Sequence, residues 1–259
     1  MDLLRTIKEL NRPLKIAHRG GMALYPENTM LAFRKSVHTH KVDMLEFDLQ
    51  LTQDGEAVVI HDPTLERTTN GRGKVCDFTF EEISKLDACY HFNPDEGNEF
   101  PQQDKGVQVP LFEDVVREFS DSFLNPELKN TNPVLVHEVK RIIKKYTADK
   151  RLLIGSGNYF QHQRIKKLLP ECYHFMSKLD LYLFAYLGSF GLGKRYWHKF
   201  HVAEVPYEYN GLTIFHKFKK AAEKAGLPLF VWGVDDKETI RIVEKMGVDG
   251  ITTDRPDLL

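Results

Sequence analysis

The chain has 259 residues, of which 42% are hydrophobic and 28% are charged, and its formal net charge is -1. This is the composition of a globular protein rather than of a disordered chain, and the lack of a basic excess argues against nucleic acid as a partner. No run of about 18 apolar residues occurs, so the sequence predicts no membrane-spanning helix.

The cysteines and the amino-terminal segment indicate the cellular compartment of the protein. Cys76, Cys89 and Cys172 are odd in number and far apart, which favours a reducing environment. The first twenty residues are charged and lack the apolar core of a signal peptide. We therefore expect a cytoplasmic protein, with peripheral attachment to a membrane surface as a further hypothesis from the segment 179–199 described below.

Short β-branched segments alternate with amphipathic helical segments along the chain. Eight segments have strand character: 14–18, 44–51, 123–128, 152–155, 174–177, 202–205, 229–234 and 250–253. Helical periodicity lies between them, at 28–40, 134–146, 162–169, 213–225 and 237–246. Eight strands with helical connections predict an α/β fold, a closed barrel that occupies residues 1–259 as a single domain.

A ninth apolar segment, 57–61, follows the dipeptide Asp54-Gly55. Asp-Gly between two alternating segments predicts a two-residue hairpin turn. With those two residues as the turn, His61 lies opposite Asp48 and both side chains point to the same face. The next segment, at about 62–109, is rich in turn residues and predicts a small inserted subdomain or lid.

The first candidate site residues, His18 and Arg19, follow the first predicted strand and precede Gly20 and Gly21. The loops after the strands carry the active site of a parallel barrel, and a His-Arg pair there combines a proton carrier with a fixed cation. The residues at 26–29, PENT, open a helix whose free N–H groups favour anions. The alternative is a helix cap after a glycine-rich turn.

Carboxylates follow on two strands. Glu46 and Asp48 point to one side of a strand, because strand side chains alternate, and a hard divalent cation such as Mg²⁺ or Ca²⁺ relieves their repulsion. Glu127 and Lys129 likewise share a face and add a third oxygen ligand and a cation. The alternatives are a solvent-facing strand edge for the carboxylates and an ordinary strand cap for His61.

Five sequence motifs together resemble the glycerophosphodiester phosphodiesterase family over about residues 16–256. The motifs are HRGG at 18–21 with PENT at 26–29, EFDLQLTQDGEAVVIHD at 46–62, PELK at 126–129, LFVWGVDD at 229–236 and GVDGITTDRP at 247–256. The fourth-strand motif departs from the family in having Pro126 where an aliphatic residue is usual. A proline inside a strand predicts a bulge or irregular pairing there, which would alter the placement of Glu127.

The resemblance implies a triosephosphate-isomerase-type (β/α)8 barrel with an inserted subdomain, and hydrolysis of glycerophosphodiesters to an alcohol and glycerol 3-phosphate. It implies that Glu46, Asp48 and Glu127 hold a divalent cation, Mg²⁺ or Ca²⁺, and that His18 and His61 act as general acid and base. Arg19 and Lys129 would neutralise the phosphate. Trp232 would cover the alcohol part of the substrate, unless this tryptophan belongs to the core.

The apolar stretch 179–192, followed by basic and aromatic residues at 193–199, gives a hint about the substrate. Such a juxtaposition is typical of contact with a membrane interface or an acyl chain. It suggests a lysophospholipid substrate, as in the lysophospholipase D-type members, with lysophosphatidic acid as product. The alternative is a buried barrel helix and its exit loop.

Two competing functions remain open at this point, and no obligate protein partner is evident. One is a related metal-dependent phospholipase D or C of the same barrel type, against which the motifs PELK and GVDGITTDRP argue. The other is a catalytically silent barrel that serves as a binding module. Such proteins usually lose a histidine or a metal ligand, whereas this chain retains all five.

Overall fold

The structure, a computed structural model, describes residues 1–94, 103, 105–189, 200–209, 212–213 and 215–259. Its strands are β1 (Leu14–Ala17), β2 (Met44–Leu51), β3 (Ala57–Val59), β4 (Phe123–Leu128), β5 (Leu153–Ile154), β6 (Tyr173–His174), β7 (Ala203–Pro206), β8 (Glu208–Tyr209), β9 (Leu212–Thr213), β10 (Leu229–Trp232) and β11 (Gly250–Thr253). Its helices are α1 (Leu3–Glu9), α2 (Met30–His38), α3 (Phe80–Ile83), α4 (Phe112–Glu118), α5 (Pro133–Tyr146), α6 (Tyr159–Leu168), α7 (Lys178–Ser189), α8 (Phe215–Ala225) and α9 (Lys237–Lys245).

Eight of these strands run parallel and follow one another in a closed order. The pairs β7–β10, β10–β11, β11–β1, β1–β2 and β2–β4 are hydrogen-bonded parallel neighbours. A parallel bridge between Glu127 and Gly155 carries the order from β4 towards β5, which pairs with β6. The amide of His201 then donates to the carbonyl of His174 at 2.9 Å and links β6 to the residues before β7. The predicted (β/α)8 barrel is confirmed.

Strand β2 shows how one segment serves both the core and the barrel interior. Its alternate residues Leu45, Phe47 and Leu49 are fully buried in the cluster between the sheet and the helices. The ring of Phe47 lies 5.6 Å from that of Phe33 in α2 and 6.0 Å from that of Phe112 in α4, between ring centroids. Because side chains alternate along a strand, this packing directs Glu46 and Asp48 to the opposite face.

The hairpin β2–β3 corrects the register expected from the sequence. Leu49 pairs with Val59, and the amide of Ile60 donates to the carbonyl of Asp48 at 3.0 Å, so Ile60 and not His61 stands opposite Asp48. The loop holds three residues rather than two, with Gly55 at φ 87° in the left-handed region. Such a loop shifts the pairing by one residue. His61 lies beyond the end of β3, so the alternation of that strand does not fix its side chain.

The segment after the hairpin, where the sequence predicts an inserted subdomain at 62–109, is described except for residues 95–102 and 104. Leu65, Val75 and Ile83 of this segment form a small apolar cluster with Val58 and Ile60 of the hairpin. Its helix α3 begins with a capping box between Thr79 and Glu82. The described part of the segment therefore packs against the hairpin, and the domain boundary itself stays a prediction.

The helices offer no candidate for a transmembrane segment. Among the residues that the structure describes, none of the helices combines the length and the apolar character that crossing a bilayer requires.

The packing around Phe47 yields a stability prediction. We expect Phe47→Ala to lower the free energy of unfolding by about 3–5 kcal/mol, because it removes a fully buried ring between β2, α2 and α4. Phe160→Ala is a matched control, since the Phe160 ring is 79% exposed, and it should change stability by less than about 0.5 kcal/mol. Urea unfolding followed by circular dichroism measures both, and equal effects would contradict this packing.

Candidate active site

A cavity of about 410 Å³ lies at the carboxyl ends of the barrel strands. Its lining includes His18 and Arg19 after β1, Glu46 on β2, Glu127 and Lys129 at β4, and Trp232 at the end of β10. These are six of the eight site residues predicted from the sequence. The other two, Asp48 and His61, are outside the lining, although Asp48 contacts residues that belong to it. The full lining is His18, Arg19, Glu46, Asn125, Glu127, Lys129, Lys178, Glu204, Trp232, Gly233, Asp235, Thr252 and Asp254.

Asp48 is a buried carboxylate held between two cations. The Nε atom of Arg19 lies 3.2 Å from one oxygen, and the Nζ atom of Lys129 lies 3.1 Å from the other. The side-chain amide of Asn28 donates to it at 3.0 Å. Burial alone would raise the pKa of Asp48, but the charges of Lys129, Arg19 and His61 outweigh it and hold the pKa below its usual value. Asp48 is therefore ionised and fixed in place.

Glu46 is the least compensated of the three predicted cation ligands. Its carboxylate accepts a hydrogen bond from the amide of Arg19 at 2.9 Å and lies 3.8 Å from Nε2 of His18. Burial raises the pKa of Glu46 to about 7, with His18 opposing the rise and Asp48 adding to it. A carboxyl group with so high a pKa gains stability from any further positive charge brought near it.

Glu127 faces the same cavity from β4. One oxygen accepts from Nζ of Lys129 at 2.6 Å, and the other accepts from the amide of Gly157 at 3.0 Å. Lys129 therefore binds both Glu127 and Asp48 with one ammonium group. Pro126 occupies the neighbouring position, pairs with Phe47 of β2 and leaves β4 regular, so this departure from the family motif does not displace Glu127 from the cavity.

The chemistry of Glu46, Asp48 and Glu127 fits a hard divalent cation. The donors are all carboxylate oxygens, the type that Mg²⁺ and Ca²⁺ prefer. The neighbouring positive charges do not offset the burial of Glu46, whose pKa is raised to about 7. Across the described ranges, no three His, Cys, Asp or Glu side chains stand in ligating positions as a group. A cation shared by Asp48 and Glu127 competes with Lys129 for their oxygens, and this ligand set stays a prediction.

His18 is oriented by an aspartate that the sequence analysis did not single out. Its Nδ1 lies 2.5 Å from a carboxylate oxygen of Asp254, in the motif GVDGITTDRP, and its Nε2 faces Glu46. Burial alone would lower the pKa of His18, but the carboxylates of Glu46 and Asp254 outweigh it and raise the pKa to about 9. In the absence of a bound cation, His18 is therefore a charged imidazolium that can give up a proton.

His61 has a corresponding partner in the next residue. Its Nδ1 lies 2.6 Å from a carboxylate oxygen of Asp62, and the other Asp62 oxygen binds Arg67 in an ion pair. Arg67 also donates to both oxygens of Glu27, at 2.7 and 2.8 Å. Glu27 in turn accepts from Arg19 at 3.0 Å. A continuous chain of hydrogen bonds and ion pairs therefore runs from His61 to Arg19.

Trp232 lies at the edge of the cavity. Its side chain is 47% exposed and belongs to the lining, and its role towards a substrate stays a prediction. An aromatic ring at the edge of an acidic and basic cavity can cover an apolar or cationic group of a ligand.

Asn125 and Glu204 are among the further polar residues of the cavity that the sequence analysis missed. Asn125 of β4 donates through Nδ2 to a carboxyl oxygen of Glu204 of β7 at 2.6 Å. Burial raises the pKa of Glu204 to about 8, and the negative charge of Glu46 adds to the rise. Each of them is a polar residue inside a predicted strand, which could have drawn attention to it. Asn125 is also two residues from Glu127 and so points to the same face of its strand.

The His18–Asp254 contact gives a prediction about pH. In cation-free protein, Asp254→Asn removes a charge that raises the pKa of His18, so we expect that pKa to fall from about 9 towards 6.5. A folded-state pKa above the unfolded value stabilises the fold below about pH 6.5, and this contribution is lost as the pH rises through 9. The stability difference between wild type and variant should accordingly shrink from pH 6 to pH 9.

Imidazole NMR titration measures the His18 pKa, and urea unfolding at each pH measures stability. Asp257→Asn is the control, because Asp257 pairs with Arg255 instead of with a site histidine. An unchanged His18 pKa in Asp254→Asn would contradict the role given to this carboxylate.

The chain is similar to known proteins over almost its whole length. The model of the "Glycerophosphoryl diester phosphodiesterase family" matches residues 18–258. A glycerophosphodiester phosphodiesterase of Caldanaerobacter subterraneus subsp. tengcongensis is 36% identical over 257 residues, which is 96% of each chain. A crystal structure of the Agrobacterium tumefaciens glycerophosphodiester phosphodiesterase has a TM-score of 0.76 and 27% identity, covering 95% of this chain and 98% of that one.

A phosphodiesterase from Oleispira antarctica, whose structure contains the product sn-glycerol-3-phosphate, shares the fold with a TM-score of 0.78, at 22% identity and 95% coverage of each chain. The family match, the near-complete coverage of the relatives and the barrel confirm the resemblance drawn from the motifs. The chain is an enzyme that belongs to the glycerophosphoryl diester phosphodiesterase family.

Proposed function

We propose that the protein hydrolyses glycerophosphodiesters to an alcohol and glycerol 3-phosphate, with Mg²⁺ or Ca²⁺ as cofactor. One observation carries this proposal: two histidines, each bonded through Nδ1 to an aspartate, accompany a cavity that combines basic groups with desolvated carboxylates. The names of the relatives agree with it, and the Oleispira antarctica structure contains glycerol 3-phosphate.

The basic groups suit the anionic part of such a substrate. Arg19, Lys129 and Lys178 line the cavity and offer N–H donors to phosphate oxygens. A divalent cation held by Glu46, Asp48 and Glu127 would supply further charge stabilisation at the phosphoryl group. Because Arg19 and Lys129 are bonded to buried acids, their positions are fixed before the substrate arrives.

The two histidines suit proton transfer. Since Nδ1 of each ring is bonded to an aspartate, Nε2 is the atom left to face the substrate. One imidazole accepts the proton of the attacking hydroxyl, and the other donates a proton to the leaving oxygen. We propose that the attacking hydroxyl belongs to the glycerol of the substrate, giving a cyclic phosphate that water then opens.

The decisive experiment is an assay with glycerophosphocholine in Mg²⁺, Ca²⁺ or EDTA, with both products identified. We expect choline and glycerol 3-phosphate, no turnover in EDTA, and a loss of kcat of about 100-fold or more in His18→Ala and in His61→Ala, as is usual for a general acid or base. His38→Ala on the exposed side of α2 is the control and should keep full activity.

Other outcomes separate the alternatives. Phosphocholine as product would favour a phospholipase C-type reaction, and binding without turnover would favour a silent barrel. Unchanged kcat in both histidine variants would overturn the roles assigned to these residues. Full activity in EDTA would overturn the cation requirement alone.

Helix α7 favours a second candidate, a lysophospholipase D-type activity. Leu179, Tyr182 and Tyr186 are 46%, 61% and 65% exposed, and their spacing of three and four residues puts them on one helix face. The helix begins at Lys178, which lines the cavity. The opposite face of the helix packs in the barrel core through Phe184, so the alternative of a barrel helix and its exit loop still stands beside the lipid contact. Residues 190–199 of the predicted membrane contact lie outside the described residues.

The exposed face of α7 predicts a selective effect on lipid substrates. We expect the triple variant Leu179→Ser, Tyr182→Ser, Tyr186→Ser to lose about tenfold or more in activity on lysophosphatidylcholine, because three apolar side chains no longer bury area at a lipid interface. Its activity on glycerophosphocholine should stay within about twofold, since none of the three lines the cavity.

Ile242→Ser, an exposed apolar residue of α9, is the control and should affect neither substrate. Wild-type protein that hydrolyses glycerophosphocholine but not lysophosphatidylcholine would overturn the lipid activity. An equal loss on both substrates in the triple variant would show a general defect.

A further inference from the structure

Asn125 and Glu204 form a polar contact inside the barrel that the proposed chemistry does not use. They lie on β4 and β7, which are separated in the barrel order by β5 and β6, and Nδ2 of Asn125 donates to Oε1 of Glu204 at 2.6 Å. Both side chains line the cavity that contains His18, Glu46 and Lys129. This contact crosses the interior of the barrel instead of joining neighbouring strands. A ligand in the cavity can therefore reach it.

Asn125 has an acceptor that the protein does not satisfy. The residue is only 3% exposed, and its Oδ1 has no hydrogen-bond partner within the described ranges. A buried carbonyl oxygen without a donor is unfavourable, and most such atoms in folded proteins are paired. A bound group that supplies an N–H or O–H donor removes this penalty.

The surroundings restrict which group this is. The carboxyl group of Glu204 lies beside the amide, and the charges of Glu46 and Glu127 act on it. Carboxyl and carbonyl oxygens repel a phosphate, which the basic side chains elsewhere in the cavity attract. A neutral hydroxyl group both donates and accepts and matches the pair.

We propose that Asn125 and Glu204 bind a hydroxyl group of the glycerol moiety and thereby select phosphate esters that carry a free hydroxyl. This inference rests on the proposed function, since it assigns the alcohol-recognising part of the same cavity. The hydroxyl donates to Oδ1 of Asn125, while Arg19 and Lys129 hold the phosphate. The two residues determine specificity and take no part in the proton transfers.

The test compares two ligands that differ only in hydroxyl groups, sn-glycerol 3-phosphate and n-propyl phosphate. Calorimetry with the full chain in Mg²⁺ should give wild type at least about a tenfold preference for glycerol 3-phosphate, as expected for a site with hydrogen bonds to a hydroxyl. Asn125→Leu and Glu204→Gln should each reduce the preference to about threefold or less, with n-propyl phosphate affinity within about twofold of wild type. Glu208→Gln, at an exposed position of β8, is the matched control and should keep the preference.

Three results would overturn the inference: no preference in wild type, a preference retained in both variants, or a parallel loss of affinity for both ligands. The last would assign a structural role to the pair. If Asn125→Leu does not fold, as thermal unfolding would show, the nearly isosteric Glu204→Gln decides the matter. Wild type that hydrolyses no glycerophosphodiester overturns the proposed function, whereas an active wild type with unaltered variants overturns this inference alone.

Discussion

Negative charge removed from water at the carboxyl end of the barrel is the constraint on which the site depends. Asp48 is buried there, Glu46 and Glu204 are partly buried, and burial acts to raise the pKa of each. Only Asp48 is fully compensated, because Arg19 and Lys129 both contact it. The remaining carboxyl groups share too little positive charge. The carboxyl end of the barrel therefore favours the binding of cations and of hydrogen-bond donors.

This arrangement depends on the regularity of the strands. The side chains of β2 alternate between an aromatic cluster outside the barrel, centred on Phe47, and the carboxylates inside it. A shift of one residue in β2 would bury Glu46 among the aromatic rings and turn Phe47 towards the cavity. The same register of β2 therefore fixes both the packing of the core and the placement of the acidic side chains. Hydrophobic burial supplies the free energy that keeps like charges close together.

The sequence was informative where periodicity decides the structure. It predicted the eight barrel strands and, from alternation, the shared face of Glu46 and Asp48. The hairpin register was wrong because Asp54-Gly55 fits both a two-residue and a three-residue loop, and only the backbone hydrogen bonds distinguish them. Asp254 and Glu204 were missed because their partners, His18 and Asn125, are 236 and 79 residues away in the chain. Contacts between distant strands leave no local pattern.

The segment after the hairpin is joined to the site through Arg67. This arginine binds Asp62, which holds His61, and both oxygens of Glu27, which binds Arg19. One guanidinium group therefore sets the position of an imidazole and of a second guanidinium that contacts Asp48. The Arg67 side chain is 45% exposed, against 10% for Glu27 and 24% for Asp62, so the arginine lies on the solvent side of both acids. A change at Arg67 therefore acts on both His61 and Arg19, because this guanidinium group holds the two acids that bind them.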